Sequence, residues 1–227
     1  MNLVEHYNNL YTESILKIKS DNCQTDDLID SSSDNRLGLT LLIRPDEQVK
    51  NQIQKFLSEL KAIEPTQYYY PNSDIHITVL SIISCYNGFD IARISLEDYV
   101  KTIKKSLATR KSFEIEFKGI TASPSCVMIQ GFLNDDTLNK IRDDLRESFR
   151  NSKLEQTIDK RYSIQTAHST VVRFRNELTR KDEYIQVLND YRDYQFGTSV
   201  IDSLELVYND WYQRREQVKE LYRFELE

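Results

Sequence analysis

Two short apolar strings, each with a histidine and a threonine two residues apart, constrain the fold of this 227-residue chain most strongly. They read IHITV at residues 75–79 and AHSTV at residues 167–171. Apolar, β-branched runs favour strands, and positions i and i+2 of a strand face the same way. Each string therefore presents one imidazole and one hydroxyl to a single surface. Two of the three histidines of the chain lie in this pattern.

The strings belong to a longer repeat of predicted elements. The order strand, helix, His-x-Thr strand, helix, strand occurs over residues 39–117 and again over residues 126–208, offset by roughly 90 residues. This offset exceeds solenoid periods and occurs once. We interpret it as a duplicated lobe with a pseudo-two-fold axis, so that both histidines face a common cleft.

Hydrophobic periodicity predicts the individual elements. The predicted helices cover residues 2–19 and begin just after Pro45, at Ser95, at Asn134 and at Thr179. The predicted strands are 39–43, 75–83, 113–117, 126–132, 167–174, 200–208 and 222–226, with a hairpin turn at 121–125. We expect strand 75–83 to lie inside a sheet, because both of its faces are apolar. Alternation in the second string places Arg173 and Arg175 on the face opposite His168.

These elements predict an α+β protein with two pseudo-symmetric β-α-β lobes, whose antiparallel-rich sheets flank a central cleft. Residues 1–36 form an N-terminal helix and a polar linker. Residues 37–227 form the bilobal domain, with lobes at approximately 37–118 and 126–227.

Composition narrows the class of protein. A hydrophobic fraction of 39% with 29% charged residues is typical of a globular domain, and we find neither a membrane-spanning run nor a secretory signal. Three widely spaced cysteines favour the reducing cytoplasm. A net charge of −6 argues against duplex DNA and favours a nucleotide, cyclic phosphate or short RNA. We expect a monomer.

Two imidazoles that flank one site are suited to moving protons, because a pKa near 6.5 lets one be neutral while the other is protonated. Two hydroxyls beside them can donate hydrogen bonds to phosphate oxygens, which favours a phosphodiester substrate. Two histidines without a third ligand fall short of a catalytic zinc site. We therefore expect neither a metal nor a cofactor.

The paired strings in two repeated β-α-β lobes resemble the 2H phosphoesterase superfamily, which includes 2′-5′ RNA ligase-like proteins and RNA 2′,3′-cyclic phosphodiesterases. The resemblance spans about residues 37–227. It implies that His76 and His168 are the catalytic pair and that Thr78 and Thr170 bind phosphate. The segment 69–71 also resembles the aromatic and proline-containing approach to the first motif. Residues 1–35 and the charged connection 209–220 depart from the compact family core.

The hypothesis from sequence is a metal-independent phosphodiesterase acting on 2′,3′-cyclic phosphate or 2′-5′-linked substrates. Its working order has His168 activate the nucleophile and His76 protonate the leaving oxygen, although sequence does not settle this order. Tyr70 is the candidate for substrate binding, by stacking on a base; covering the start of the strand is the alternative. Two other hypotheses stay open: an inactive nucleotide- or RNA-end-binding module, and a scaffold that acts through residues 1–35.

Overall fold

A computed structural model of the chain describes residues 2–227 and contains five α-helices and nine strands within them. The helices are α1 (Leu3–Lys19), α2 (Glu47–Ile63), α3 (Leu96–Leu107), α4 (Thr137–Arg150) and α5 (Lys181–Asp190). The strands are β1 (Arg36–Ile43), β2 (Tyr68–Tyr69), β3 (Ile77–Asn87), β4 (Phe113–Ser123), β5 (Cys126–Phe132), β6 (Ser169–Arg173), β7 (Gln195–Ile201), β8 (Ser203–Asp210) and β9 (Lys219–Glu225).

The strands form two antiparallel sheets, which confirms the predicted fold class. The first sheet has the order β3-β1-β8-β9, and the second has the order β2-β6-β5-β4-β7. Strands β3 and β6, which follow the two histidines, contact each other across the sheets. The cleft opens at this junction.

Each sheet contains strands from both halves of the sequence, so the sheets do not correspond to two contiguous lobes. Strand β4 comes from the first half but pairs with β5 and β7, whereas β8 and β9 come from the second half and extend the sheet of β1. The prediction of a single strand at 200–208 is wrong, because Asp202 separates β7 from β8 and the two strands belong to different sheets. The chain therefore crosses between the sheets at this residue.

The prediction that strand 75–83 lies inside a sheet is also wrong, because β3 is an edge strand. Its free edge is covered by the segment before β6. Thr157 N donates to Ile82 O over 2.8 Å, and Ser84 N donates to Thr157 Oγ1 over 2.7 Å. These hydrogen bonds replace a neighbouring strand and explain how an edge strand can be apolar on both faces.

Local hydrogen bonds explain where elements begin and end. Asp46 caps α2 by accepting from Val49 N over 2.8 Å, as expected for a helix that begins after Pro45. Helix α5 begins two residues after the predicted Thr179, because the Glu64 carboxylate accepts from Thr179 N and holds that residue outside the helix. Strand β4 continues through Ser123, so the hairpin turn is shorter than predicted.

The N-terminal helix is part of the packed structure rather than a tethered appendage. It lies on β4 of the second sheet, where Tyr7 and Ile18 are buried. Ser14 Oγ donates to Ala122 O over 2.8 Å, and Thr121 Oγ1 donates to Tyr7 O over 3.0 Å. Apolar burial and polar pairing therefore both fix α1 to the domain.

One buried cation joins the two sheets beside the cleft. Arg142 of α4 is 0% exposed, and its guanidinium donates to Val79 O at 3.0 Å, Thr78 O at 2.9 Å and Thr166 O at 2.9 Å. Burial lowers the pKa of Arg142 to about 10, so the group remains charged at neutral pH. Arg142 thus ties β3 to the segment that leads into His168.

We predict that Arg142→Met lowers the free energy of unfolding by about 2–5 kcal/mol, because three backbone carbonyls lose their donor. Chemical denaturation measures this change. Arg150→Met is the matched control, since Arg150 lies exposed at the end of the same helix. Equal destabilisation by both substitutions would contradict a bridging role for Arg142.

Candidate active site

The two histidines and two threonines singled out by sequence line one cavity. The cavity encloses about 630 Å³, including its open mouth, and is bordered by His76, Thr78, His168 and Thr170. Each histidine lies immediately before its strand, β3 or β6, and retains partial exposure to solvent. The structure thus brings all five predicted site residues to one cavity, and Tyr70 differs from the other four in being fully buried.

Each imidazole is oriented by a hydrogen bond to the residue two positions before it. His76 Nδ1 lies 2.7 Å from Asp74 O, and His168 Nδ1 lies 2.6 Å from Thr166 Oγ1. A carbonyl oxygen only accepts, so His76 Nδ1 carries a proton and, in the neutral ring, Nε2 holds the lone pair. The Thr166 hydroxyl can donate or accept, so it is compatible with either tautomer of His168 and with its protonated form.

The protein holds the segment around His168 from two sides. Arg142 binds Thr166 O, and on the other side Gly131 of β5 lies against Ala167. A Cβ atom at Gly131 would lie 2.0 Å from Ala167 O, so only glycine permits this approach. These contacts fix the backbone on which the imidazole is mounted.

The surroundings of both imidazoles disfavour the charged form. Loss of hydration is the largest cause, and it lowers the pKa of His76 and of His168 to about 4. The cation of Arg173 lowers both pKa values further, while the hydrogen bond to Asp74 O acts in the opposite direction on His76. Both rings are therefore neutral in the free protein near neutral pH.

Arg173 also lines the cavity, which corrects the prediction that it faces away from His168. The reason is an extra residue in β6: Val127 pairs with Val172 and Met128 with Thr170, so the strand bulges between Thr170 and Val172. A bulge reverses the alternation of side chains beyond it. Arg173 consequently points to the cleft, and Val172 lies in the core.

The same irregularity occurs in the first motif. Leu41 pairs with Leu80 and Leu42 with Thr78, which places an extra residue in β3 directly after the threonine. Ser81 therefore reaches the cavity, three positions after Thr78, as Arg173 does three positions after Thr170. Both motifs therefore carry a bulge directly after the threonine. Strict alternation of side chains along a strand does not predict these bulges.

Tyr70 lies at the cavity wall, but its ring is 1% exposed. Arg173 Nε donates to Tyr70 Oη over 2.9 Å, and the Tyr70 ring packs edge-on against Tyr68 at 5.1 Å between centroids. The buried ring offers no open face to a base. Its hydroxyl instead anchors the guanidinium of Arg173.

Sequence reasoning missed Trp211, which lies in the connection between β8 and β9 and lines the cavity. The guanidinium carbons of Arg161, Arg36 and Arg173 lie 4.9, 5.2 and 6.0 Å from its ring centroid. The face of an indole ring attracts cations electrostatically, so these three guanidinium groups hold the Trp211 ring in its orientation. The sequence did contain a signal for Trp211: it is the only tryptophan of the chain, and it lies in the connection 209–220, which departs from the compact family core.

Within residues 2–227, no group of three or more histidine, cysteine or acidic side chains is placed to hold a metal ion. No helix in the same range is both long enough and apolar enough to cross a bilayer.

Several solved structures share the fold of this chain. The fold resembles LigT from Escherichia coli in complex with 3′-AMP, with a TM-score of 0.59 and 12% identity over 85% of this chain and 99% of LigT. LigT in complex with ATP gives a TM-score of 0.53 and 12% identity over 84% and 98% of the two chains. The protein TT0787 of Thermus thermophilus gives 0.56 and 14% identity over 83% and 97%. No curated protein shows significant sequence similarity.

The fold is that of the 2H phosphoesterase superfamily, as the resemblance implied. Within it, residues 39–222 match the family described as the AKAP7 2′5′ RNA ligase-like domain, and the chain belongs to this family. Family and fold together support a phosphodiesterase-type function.

The lowered pKa values predict how stability changes with pH. Between pH 6.5 and about 4 the unfolded chain binds more protons at His76 and His168 than the folded chain does. The contribution of these rings to the free energy of unfolding is therefore greatest above pH 6.5 and falls as the pH is lowered to about 4. Thermal melts should show a smaller loss over this range in a His76→Asn, His168→Asn double variant, whereas parallel curves would contradict the assignment.

Proposed function

We propose that the protein is a metal-independent phosphodiesterase that acts on 2′,3′-cyclic phosphate or 2′-5′-linked nucleotide and RNA substrates. The observation that carries the proposal is the single cavity lined by two imidazoles, two threonine hydroxyls and the Arg173 guanidinium. Family membership supports the reaction class, and the LigT complexes with 3′-AMP and ATP support a nucleotide ligand. The cavity is too small for a duplex and suits one phosphoryl group with its immediate substituents.

The hydrogen bonds favour an order of proton transfers opposite to the working hypothesis from sequence. Neutral His76 carries its proton on Nδ1, so its Nε2 is free to accept a proton from the attacking oxygen. His168 then supplies the proton to the leaving oxygen. Its Nδ1 keeps a hydrogen bond with Thr166 in the neutral and the protonated state, because the hydroxyl can donate or accept.

The reaction balances with these two groups. The oxygen of a water molecule attacks phosphorus and gives a proton to His76 Nε2. The bond from phosphorus to the ester oxygen breaks, and that oxygen takes a proton from Nε2 of His168, which is protonated once the anionic substrate is bound. The Thr78 and Thr170 hydroxyls and Arg173 bind the non-bridging oxygens, on which charge accumulates in the transition state. Within residues 2–227 neither threonine hydroxyl donates a side-chain hydrogen bond to the protein, so both are free to do so.

Substitution of either imidazole tests the reaction. We predict that His76→Ala and His168→Ala each lower kcat on a 2′,3′-cyclic mononucleotide by roughly 10²–10⁴-fold, because each removes one proton transfer. Product analysis by phosphorus NMR measures the rate and shows which ester bond breaks. Lys101→Ala is the control, because Lys101 is exposed on α3 and lines neither cavity, and it is assayed on the same substrate.

Three results would contradict the phosphodiesterase proposal. Absence of hydrolysis by the parent protein, with nucleotide binding retained, would favour the binding module. Retained hydrolysis in both histidine variants would place the chemistry elsewhere. Loss of activity with EDTA would indicate a metal enzyme.

The pH dependence of the rate tests the protonation states. The bell-shaped profile of kcat/KM reports the free protein, in which both pKa values lie near 4, so its descending limb should lie on the acid side. A bound phosphodiester is anionic and raises the pKa of the nearby acid. We therefore predict that the descending limb of kcat lies at higher pH than that of kcat/KM. Coincident limbs would contradict this account.

A further inference from the structure

A second cavity lies beside the catalytic one, and the N-terminal helix forms one of its walls. Helix α1 contributes His6, Tyr7 and Leu10, and strand β5 contributes Met128. The space amounts to about 630 Å³, including its open mouth. We call it the α1 compartment. It is formed in part by residues 3–19, which precede the family match at residues 39–222.

The α1 compartment and the catalytic cavity share a wall. Tyr162, Ile164 and His168 line both spaces, so the imidazole of His168 stands between them. A substrate whose phosphorus lies in the catalytic cavity can therefore extend past His168 toward α1. His168 is also the group proposed to protonate the leaving oxygen, which places the leaving side of the substrate at this wall.

One polar group in the compartment lacks a partner. Tyr7 is 1% exposed, and no partner meets full hydrogen-bond geometry at its hydroxyl, while Thr166 and the backbone of Gly131 are close enough to lower its pKa against the effect of burial. A buried hydroxyl without a well-formed hydrogen bond is stabilised by a ligand that supplies one. Burial also raises the pKa of Tyr7 to about 12, so the group remains a donor at neutral pH. The hydroxyl is therefore available to a ligand.

The lining combines apolar surface with a few polar groups. Leu10, Met128 and Ile164 provide apolar contacts, while His6, Gln165 and the Tyr7 hydroxyl provide hydrogen-bonding groups. Small-molecule sites have this composition, in which apolar walls hold a ring and a few polar atoms select its orientation. A nucleobase offers both apolar faces and a polar edge.

We propose that the α1 compartment binds the base of the nucleoside that carries the leaving oxygen. This inference rests on the proposed function and adds a specificity determinant from outside the family domain. A 2′,3′-cyclic nucleotide would place its phosphate between the two imidazoles and its base against Leu10, with the polar edge of the base toward the Tyr7 hydroxyl. Cyclic phosphates without a base would then be poorer substrates, because they leave the compartment empty.

The test compares 2′,3′-cyclic AMP with glycerol 1,2-cyclic phosphate, which has a five-membered cyclic ester but no base. Leu10→Trp fills the compartment, and we expect it to lower the ratio of kcat/KM for the nucleotide to kcat/KM for the glycerol ester by at least about tenfold. Tyr7→Phe removes only the hydroxyl and keeps the ring against Phe132, at 5.6 Å between centroids. We expect it to lower the same ratio by about three- to tenfold.

Leu16→Trp is the matched control, because Leu16 lies on the same helix and is 64% exposed. Thermal melts identify any variant that fails to fold, and Tyr7→Phe remains informative if Leu10→Trp does. An unchanged ratio in folded variants, or an equal loss on both substrates, would overturn the proposal. Calorimetric titration with 3′-AMP and with inorganic phosphate gives an independent readout: weaker 3′-AMP binding with unchanged phosphate binding supports it.

These measurements distinguish failure of the proposed phosphodiesterase function from failure of the proposed base site. Absence of hydrolysis of both esters by the parent protein refutes the proposed function. The titrations then still decide whether the α1 compartment binds a base, since they need no turnover. Equal 3′-AMP affinity in the parent and in folded Leu10→Trp and Tyr7→Phe variants refutes the base site alone.

Discussion

The geometry of the cleft depends on the buried guanidinium of Arg142. Two sheets that pack without a shared strand have no backbone ladder to fix their relative position, and apolar contacts alone are non-directional. Arg142 supplies directional bonds to Thr78 O in β3 of one sheet and to Thr166 O in the segment that leads into β6 of the other. Each carbonyl lies within two residues of a histidine. The position of one imidazole relative to the other is thus set by one side chain of α4.

Periodicity and the repeat were sufficient to predict the class of fold and the residues that meet in the cleft. His76, Thr78, His168 and Thr170 converge because both apolar β-branched strings form strands, β3 and β6, and these two strands are in contact. These inferences use only local propensity and alternation. They hold wherever the strand is regular.

The failures occur where a single residue changes the register or the sheet. The bulge after Thr170 moves Arg173 into the cleft, and Asp202 divides one apolar run between two sheets. Neither event has a marker such as glycine or proline at its position in the sequence. Arg142 was missed for a related reason: an arginine on an amphipathic helix usually faces solvent, and only the tertiary structure supplies the carbonyls that it binds.

Both histidines of the site have a lowered pKa. The same cavity is lined by two threonine hydroxyls and the guanidinium of Arg173, which favour binding of an anion. In the free protein the imidazoles are neutral, so under the proposed mechanism the proton needed for the leaving group is acquired when the phosphodiester brings its negative charge. The ligand thereby helps to establish the protonation state that its own cleavage requires. The N-terminal helix forms a wall of a second compartment at His168, which is the basis for proposing that this helix takes part in substrate recognition.

The most direct test of the central claim, that both imidazoles bind one phosphoryl group, is an NMR titration of the protein with 3′-AMP that follows the ring resonances of His76 and His168. The account predicts that both rings shift with one common dissociation constant and that the pKa of at least one of them rises toward neutrality in the complex. Perturbation of only one ring, or of neither, would contradict it.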